Sequence, residues 1–243
     1  MSYLRYTVPN SFTAFSLLLG VSSIVATQFG ELELAGWLIV WCGLLDVLDG
    51  LAARLLNATS SFGAEFDSMA DLVSFGVAPA ILMLNAGLVI ADIQFGSGQF
   101  WVLASACGIF ALCGAMRLAR FNLTNETPTH GWFVGVPITA VGGGMVSSLV
   151  IVMVRHQSEA EVLPLHLYLP VLMFVFAILM VSRLRFPKAT RRESNLINAF
   201  QVVNISLIYY CGITRSWPEY LLLMGTFTMI AGIVAGRITR HQD

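Results

Sequence analysis

The chain is short of charge. Of its 243 residues only 11% are Asp, Glu, Lys or Arg, where a water-soluble domain carries about 25%. So few charges cannot cover a water-facing surface, which excludes an ordinary soluble domain. No excess of one sign exists either. Thirteen basic against fourteen acidic residues leave a net charge of −1, and nucleic-acid binding loses its electrostatic basis. Cysteine is scarce: Cys42, Cys107, Cys113 and Cys211 all lie in apolar runs without metal-ligand spacing, and read as packing residues. The four histidines, His130, His156, His166 and His241, are scattered and make no ligand pair. There is no fixed-period repeat and no low-complexity tract.

What the chain has in quantity is apolar length. It is 57% hydrophobic with a mean hydropathy of +0.78. A bilayer-spanning helix needs about 20 mostly apolar residues. Eight stretches qualify, near 11–29, 34–56, 63–92, 99–121, 135–154, 166–183, 196–213 and 218–237. The first begins after "YTVPN" and reads as a retained span rather than a cleaved leader, with Asn10 in position to cap it. The third is long enough to tilt or project. The seventh is the weakest, since with Asn195 at its edge "NLINAFQVVNISLIYYCGI" holds four amides. "GGG" at 142–144 lies inside the fifth and reads as a close helix contact. The expected fold is therefore all-α: a polytopic membrane bundle of about eight transmembrane helices. It forms one domain over 1–243, with 196–237 as two peripheral spans.

Orientation follows from the basic residues. With eight spans and the N-terminus inside, Arg5, Arg54, Arg117, Arg120, Arg183, Arg185, Lys188, Arg191, Arg192, Arg237 and Arg240 fall inside. Only Arg155 and Arg215 fall outside. Both termini are then cytoplasmic, in an inner membrane. "RLRFPKATRRES", 183–194, reads as a topology anchor. The sequons at Asn57, Asn122 and Asn125 lie on the inside and are discounted.

Against this background "DVLDGLAARLLNATSSFGAEFDSMAD", 46–71, stands out, because charge at a bilayer edge is costly. At 100° per residue, Asp46, Asp49, Gly50 and Ala53 share an arc of about 100° on the second helix. Gly63, Asp67, Asp71 and Ser74 share an arc of about 80° on the third. The short loop between them makes the helices antiparallel, so the two acidic faces converge. Four converging carboxylates repel unless cations lie among them, and hard divalent ions take oxygen ligands. Two-metal sites suit phosphoryl transfer. The small residues leave room for a ligand, and Arg54 offers a charge to phosphate. Glu65 falls on the opposite side of its helix and stays outside the site. A small transporter with a cation site is the reading from a different class, but transport sites lie nearer the midplane on broken helices.

The spacing Asp46-x2-Asp49-Gly50-x2-Ala53-Arg54-x8-Gly63-x3-Asp67-x3-Asp71 resembles the CDP-alcohol phosphotransferase signature at all eight fixed positions. The resemblance implies a polytopic helical membrane enzyme, usually a homodimer. Such enzymes transfer a substituted phosphate from a CDP-linked lipid to an alcohol and release CMP. It implies two divalent cations, Mg2+ or Mn2+, on Asp46, Asp49, Asp67 and Asp71, with Asp71 also the base. Gly50, Ala53, Arg54 and Gly63 would line the pocket for the CDP-lipid.

Three further stretches, "FDSMADLVSFGVAPA" (66–80), "RLARFN" (117–122) and "GWFVGVPITA" (131–140), resemble the phosphatidylserine synthase branch. That branch commonly has Gly-Leu-Pro where this chain has Gly135-Val136-Pro137. The resemblance implies CDP-diacylglycerol and L-serine as substrates. The runners-up are another acceptor, glycerol phosphate or inositol phosphate, and an archaeal-type lipid donor. Pro79 has no N–H for the carbonyl of Phe75, so the helix is expected to open just beyond Asp71. Ser74 is then a candidate wall of the acceptor pocket. Arg117 and Arg120 share one end of the fourth span. One would hold a diphosphate oxygen and the other the serine carboxylate, or both would serve as snorkelling anchors. Asn122 is a weaker candidate.

Overall fold

In a computed structural model the chain is described over residues 2–56, 60–124, 132–157, 164–187 and 195–240. Among these residues the apolar runs fold as eight helices: α1 Ser2–Gln28, α2 Leu32–Leu55, α3 Ser61–Val89, α4 Gly98–Thr124, α5 Thr139–Arg155, α6 Leu165–Val181, α7 Asn195–Thr214 and α8 Pro218–Arg240. Helices α1 to α4 are long and apolar enough to cross a bilayer, with α5, α6 and much of α8 as shorter apolar helices. The lateral surface carries exposed Phe15, Leu18, Trp101, Leu112 and Phe174, as a lipid-facing surface requires. The protein is an integral membrane helical bundle. His130, His241, Asn57, Asn125 and Lys188 to Ser194 lie outside the described residues.

The ends of the expected spans hold to within a few residues, with one correction. Helix α1 begins at Ser2 and runs through Pro9, so Asn10 is a helical residue and not a cap. Pro9 lies two turns inside the helix, where its missing N–H leaves the Arg5 carbonyl without its usual helical donor. The turn into α2 is short. Gly30 takes a φ of +81° and Glu31 N–H closes on the Ala26 carbonyl at 3.0 Å. Antiparallel α1 and α2 then lie side by side. Their seam is small and polar: Ser16 and Cys42 touch, and Ser23 donates to the Ala35 carbonyl at 2.8 Å.

Two helices are opened. Leu72–Val77 of α3 and Thr139–Val146 of α5 are π-helical. The first precedes Pro79, where the helix was expected to open, and the two segments pack on each other. A Cβ on Gly142 would lie 2.0 Å from the Phe75 carbonyl oxygen, the group Pro79 leaves without its usual donor, and one on Gly143 would meet the Phe75 ring at 3.0 Å. The glycine run is thus the notch that receives Phe75, which is fully buried.

Beside the helices lies a small ribbon. Trp132–Val134 (β1) pairs antiparallel with Arg185–Pro187 (β2), Phe133 opposite Phe186. It joins the segment before α5 to the segment after α6. Gly135 follows at a φ of +78°, pressed so close that a Cβ would lie 2.3 Å from the Met180 carbonyl oxygen. Helix α7 leans on α2, where Trp41 Nε1 donates to the Gly212 carbonyl at 2.7 Å and Tyr209 Oη to the Leu44 carbonyl at 2.9 Å. One of its four amides, Asn204, accepts a hydrogen bond from Tyr220 of α8 at 2.6 Å.

Helix ends alternate between two ends of the bundle. The start of α2, the end of α5 and the turn after α7 meet where Arg155 binds Glu33 and the Arg215 carbonyl. At the opposite end the last turn of α4 meets the start of α3 and the end of α6 through Asn122 and Arg120.

Candidate active site

The last turns of α2 and the first turns of α3 form an acidic notch. Ser60 caps α3, its side chain accepting from Gly63 N–H at 3.0 Å. That cap fixes where the helix starts, and hence where Asp67 falls. Carboxylate oxygens of Asp46, Asp49 and Asp67 lie within 4.8 Å of one another. Asp71, one turn deeper on α3, is in electrostatic reach of all three and of the Arg117 guanidinium. None of these acids has a basic partner in contact: the ion pairs among the described residues are Arg155–Glu33 and His156–Glu219.

The acids are held from behind by hydroxyls. Thr13 of α1, buried, donates to Asp49 Oδ2 at 2.9 Å. Thr139, the first residue of α5, bonds Asp46. Tyr209 of α7 lies near enough for its hydroxyl to feel the Asp46 charge. The sequence reading missed these three. Thr13 had a signal. With Ser16, Gly20, Ser23 and Thr27 it forms a stripe of small residues at three- and four-residue spacing, the pattern of a tight membrane helix contact. Thr139 and Tyr209 had none, because only the packing of α5 and α7 brings them to α2.

This donor set fits a hard divalent cation. Three carboxylates converge without a counter-charge, Asp49 and Asp46 oriented by Thr13 and Thr139, in a cleft where like charges would otherwise repel. A Cβ on Gly50 would meet nothing within 4 Å, so space lies open beside the acids. Ala53 is half-buried. Arg54 is exposed, its Nε donating to the Gly50 carbonyl at 2.9 Å. Gly63 is close to Asn10, whose Oδ1 would lie 3.2 Å from an added Cβ.

The residues expected deeper in the site divide. Ser74 is fully buried and turned away. Its hydroxyl donates to the Ser16 carbonyl at 3.3 Å, and it presses on Gly20. It packs α3 on α1 rather than lining a pocket. The reason is the π-helical segment, whose wider turn advances each residue by less than 100° and takes Ser74 off the Asp71 face. Arg120 is a clamp. Its guanidinium donates to the carbonyls of Val181 (2.8 Å), Val134 (3.0 Å), Met180 (3.3 Å) and Ser182 (3.5 Å). It ties α4 to the last turn of α6, whose carbonyls lack helical donors, so neither anion expected for it finds the guanidinium available. Asn122 bridges Glu65 and Ser68 at 3.2 and 3.1 Å, joining α4 to α3. Arg117 is different. It is 7% exposed and its Nε is buried without a hydrogen-bond partner. Leaving such a donor unpaired costs about 1–3 kcal/mol.

All four cysteines are free, with Cys42, Cys107 and Cys211 buried, in keeping with packing roles.

Residues 6–182 match the CDP-alcohol phosphatidyltransferase family. A CDP-diacylglycerol–serine O-phosphatidyltransferase of Helicobacter pylori is 35% identical over 230 residues, covering 94% of this chain and 90% of the relative. One of Methanocaldococcus jannaschii is 34% identical over 228 residues, 94% of this chain and 93% of the relative. One of Bacillus subtilis is 31% identical over 186 residues, 74% of this chain and 89% of the relative. With the signature of 46–71 folded into one notch and the match running from α1 to the end of α6, the chain belongs to the CDP-alcohol phosphatidyltransferase family.

Proposed function

We propose that this protein transfers the phosphatidyl group of CDP-diacylglycerol to the hydroxyl of L-serine, giving phosphatidylserine and CMP. The observation that carries the reading is the uncompensated cluster of Asp46, Asp49 and Asp67, which needs cationic ligands and occurs inside the family signature. The likeness to serine-specific relatives over nearly the whole chain supports serine as the acceptor. An acceptor bearing a phosphate would call for a denser basic pocket than one buried arginine.

Asp46, Asp49, Asp67 and Asp71 would hold two divalent cations, Mg2+ or Mn2+, which supply positive charge to a diphosphate. Thr13 and Thr139 keep Asp49 and Asp46 turned into the notch. Gly50 and Ala53 leave the CDP moiety room to approach, and Arg54 and Gly63 flank it. Asp71 takes the proton of the serine hydroxyl. The serine oxygen forms a bond to the lipid-bearing phosphorus, the bond from that phosphorus to the CMP oxygen breaks, and its electron pair leaves on CMP. The acyl chains remain in the bilayer beside α2 and α3. The notch faces the cytoplasm with both termini, in the cytoplasmic membrane, as the distribution of basic residues supports. The chain forms one membrane domain and works as a homodimer, as the family resemblance implies.

Membranes containing the protein, given CDP-diacylglycerol and each labelled alcohol in turn, test this. Phosphatidylserine with equimolar CMP is expected from serine, reversibly stopped by a divalent chelator. Product from glycerol phosphate or inositol phosphate instead would replace serine as the acceptor. Activity in excess chelator would remove the metals.

A further inference from the structure

We propose that Arg117 is the anchor for the carboxylate of the amino-acid acceptor, and so the residue by which the enzyme selects serine over uncharged alcohols. The inference rests on the function proposed above and assigns one part of it.

Arg117 and Arg120 share the last turns of α4, but only one has donors to offer. Arg120 is spent on backbone carbonyls of α6 and β1. Those bonds also fix the end of α4 and with it the backbone that carries Arg117. Arg117 lies three residues deeper, more than nine-tenths buried, with Nε unpartnered. A buried guanidinium left like this is built for an anion that arrives later.

Which anion follows from its neighbours. The charges that act on Arg117 are Asp71 and Arg120, not Asp46, Asp49 or Asp67. The diphosphate belongs with the cations at those three acids, while the carboxylate whose charge acts on Arg117 is that of Asp71. Asp71 and Arg117 are near but make no ion pair with each other. A small acceptor between them can give its hydroxyl to Asp71 and its anionic end to Arg117. Serine has this shape, with two carbons between the hydroxyl oxygen and the carboxylate carbon. One arginine also matches one negative charge, where a phosphate monoester would bring two.

The test uses the full-length enzyme in detergent with CDP-diacylglycerol, as wild type, Arg117→Met and Arg117→Lys. L-serine is compared with L-serine methyl ester, which keeps the hydroxyl and amine but loses the carboxylate. Loss of a charged hydrogen-bond partner in Arg117→Met should raise the KM for serine on the order of 100-fold. The KM for CDP-diacylglycerol should stay within about threefold. The preference of the wild type for serine over its ester should collapse in Arg117→Met and return in part in Arg117→Lys. A KM for CDP-diacylglycerol that rises as much as that for serine would overturn the proposal, since Arg117 would then hold the diphosphate. A wild type that uses the ester as well as serine would overturn it too, and this arm needs no variant to fold. An enzyme that releases CMP with some other alcohol and never with serine refutes the function itself, which the KM and ester comparisons leave separate.

Discussion

The two ends of the bundle treat charge in opposite ways. Where α2 begins, Glu33 receives Arg155 at 2.6 Å, Arg155 lies over the Trp37 ring, and His156 meets Glu219 at 3.2 Å. Where α2 stops, three carboxylates crowd within 4.8 Å with no cation touching them. The first arrangement ties α2, α5 and α8 together and is complete in itself. The second is complete only when something positive enters. Both draw acids from α2, so the contrast teaches that partners, not residue type, separate a fastener from a site. The paired end is also half-exposed, where an ion pair contributes little. The unpaired end is sunk among helices, where charge has large effects.

Substitutions should make the contrast measurable. The largest effect is expected at Asp71: Asp71→Asn should lower kcat by about 10²- to 10⁴-fold while the bound CDP-lipid, measured directly, is largely spared. Full turnover in that variant would remove Asp71 as the base. Asp67→Asn should abolish activation by divalent ions and yet raise the melting temperature of the metal-free protein, because a like charge has been taken from the cluster. A lower melting temperature without metal would mean that the cluster is not repulsive. Next comes Thr13→Val, which keeps shape and loses the hydrogen bond to Asp49. Metal affinity, read from activity against metal concentration, should weaken about 10- to 100-fold. Gly142→Ala should destabilise by about 1–3 kcal/mol, seen as a lower melting temperature in detergent, because its methyl meets the Phe75 carbonyl. The smallest effect is expected at the paired end. Glu33→Gln should cost under about 1 kcal/mol and leave kcat and the metal response unchanged. A loss of activity there would couple the two ends and break the comparison.

How far these features could be read from the chain varies by residue. The eight apolar runs, the opening before Pro79 and the close contact of Gly142 were all legible, since each follows from local chemistry: hydropathy, a missing N–H, a missing side chain. The convergence of Asp46 and Asp49 with Asp67 was legible because a short loop leaves two helices no other arrangement. Ser74 was misread because a constant 100° per residue was carried through a segment that is π-helical. Arg120 was misread because a guanidinium three residues from a candidate ligand looks equally available until the end of α6 is placed beside it. The Thr13 stripe was present in the spacing of α1 and passed over.

The sequence by itself determined the membrane class, the number of helices, the reaction family and the acids that define the site. These depend on composition and on spacings within one hairpin, which physical chemistry fixes locally. Only the tertiary structure decided which polar groups are already satisfied. It assigned Ser74 to Ser16 and Arg120 to four carbonyls, brought Thr13, Thr139 and Tyr209 behind the acids, and left the Arg117 Nε alone. Hydrogen-bond satisfaction is a property of neighbours far apart in the chain, and no run of residues contains it.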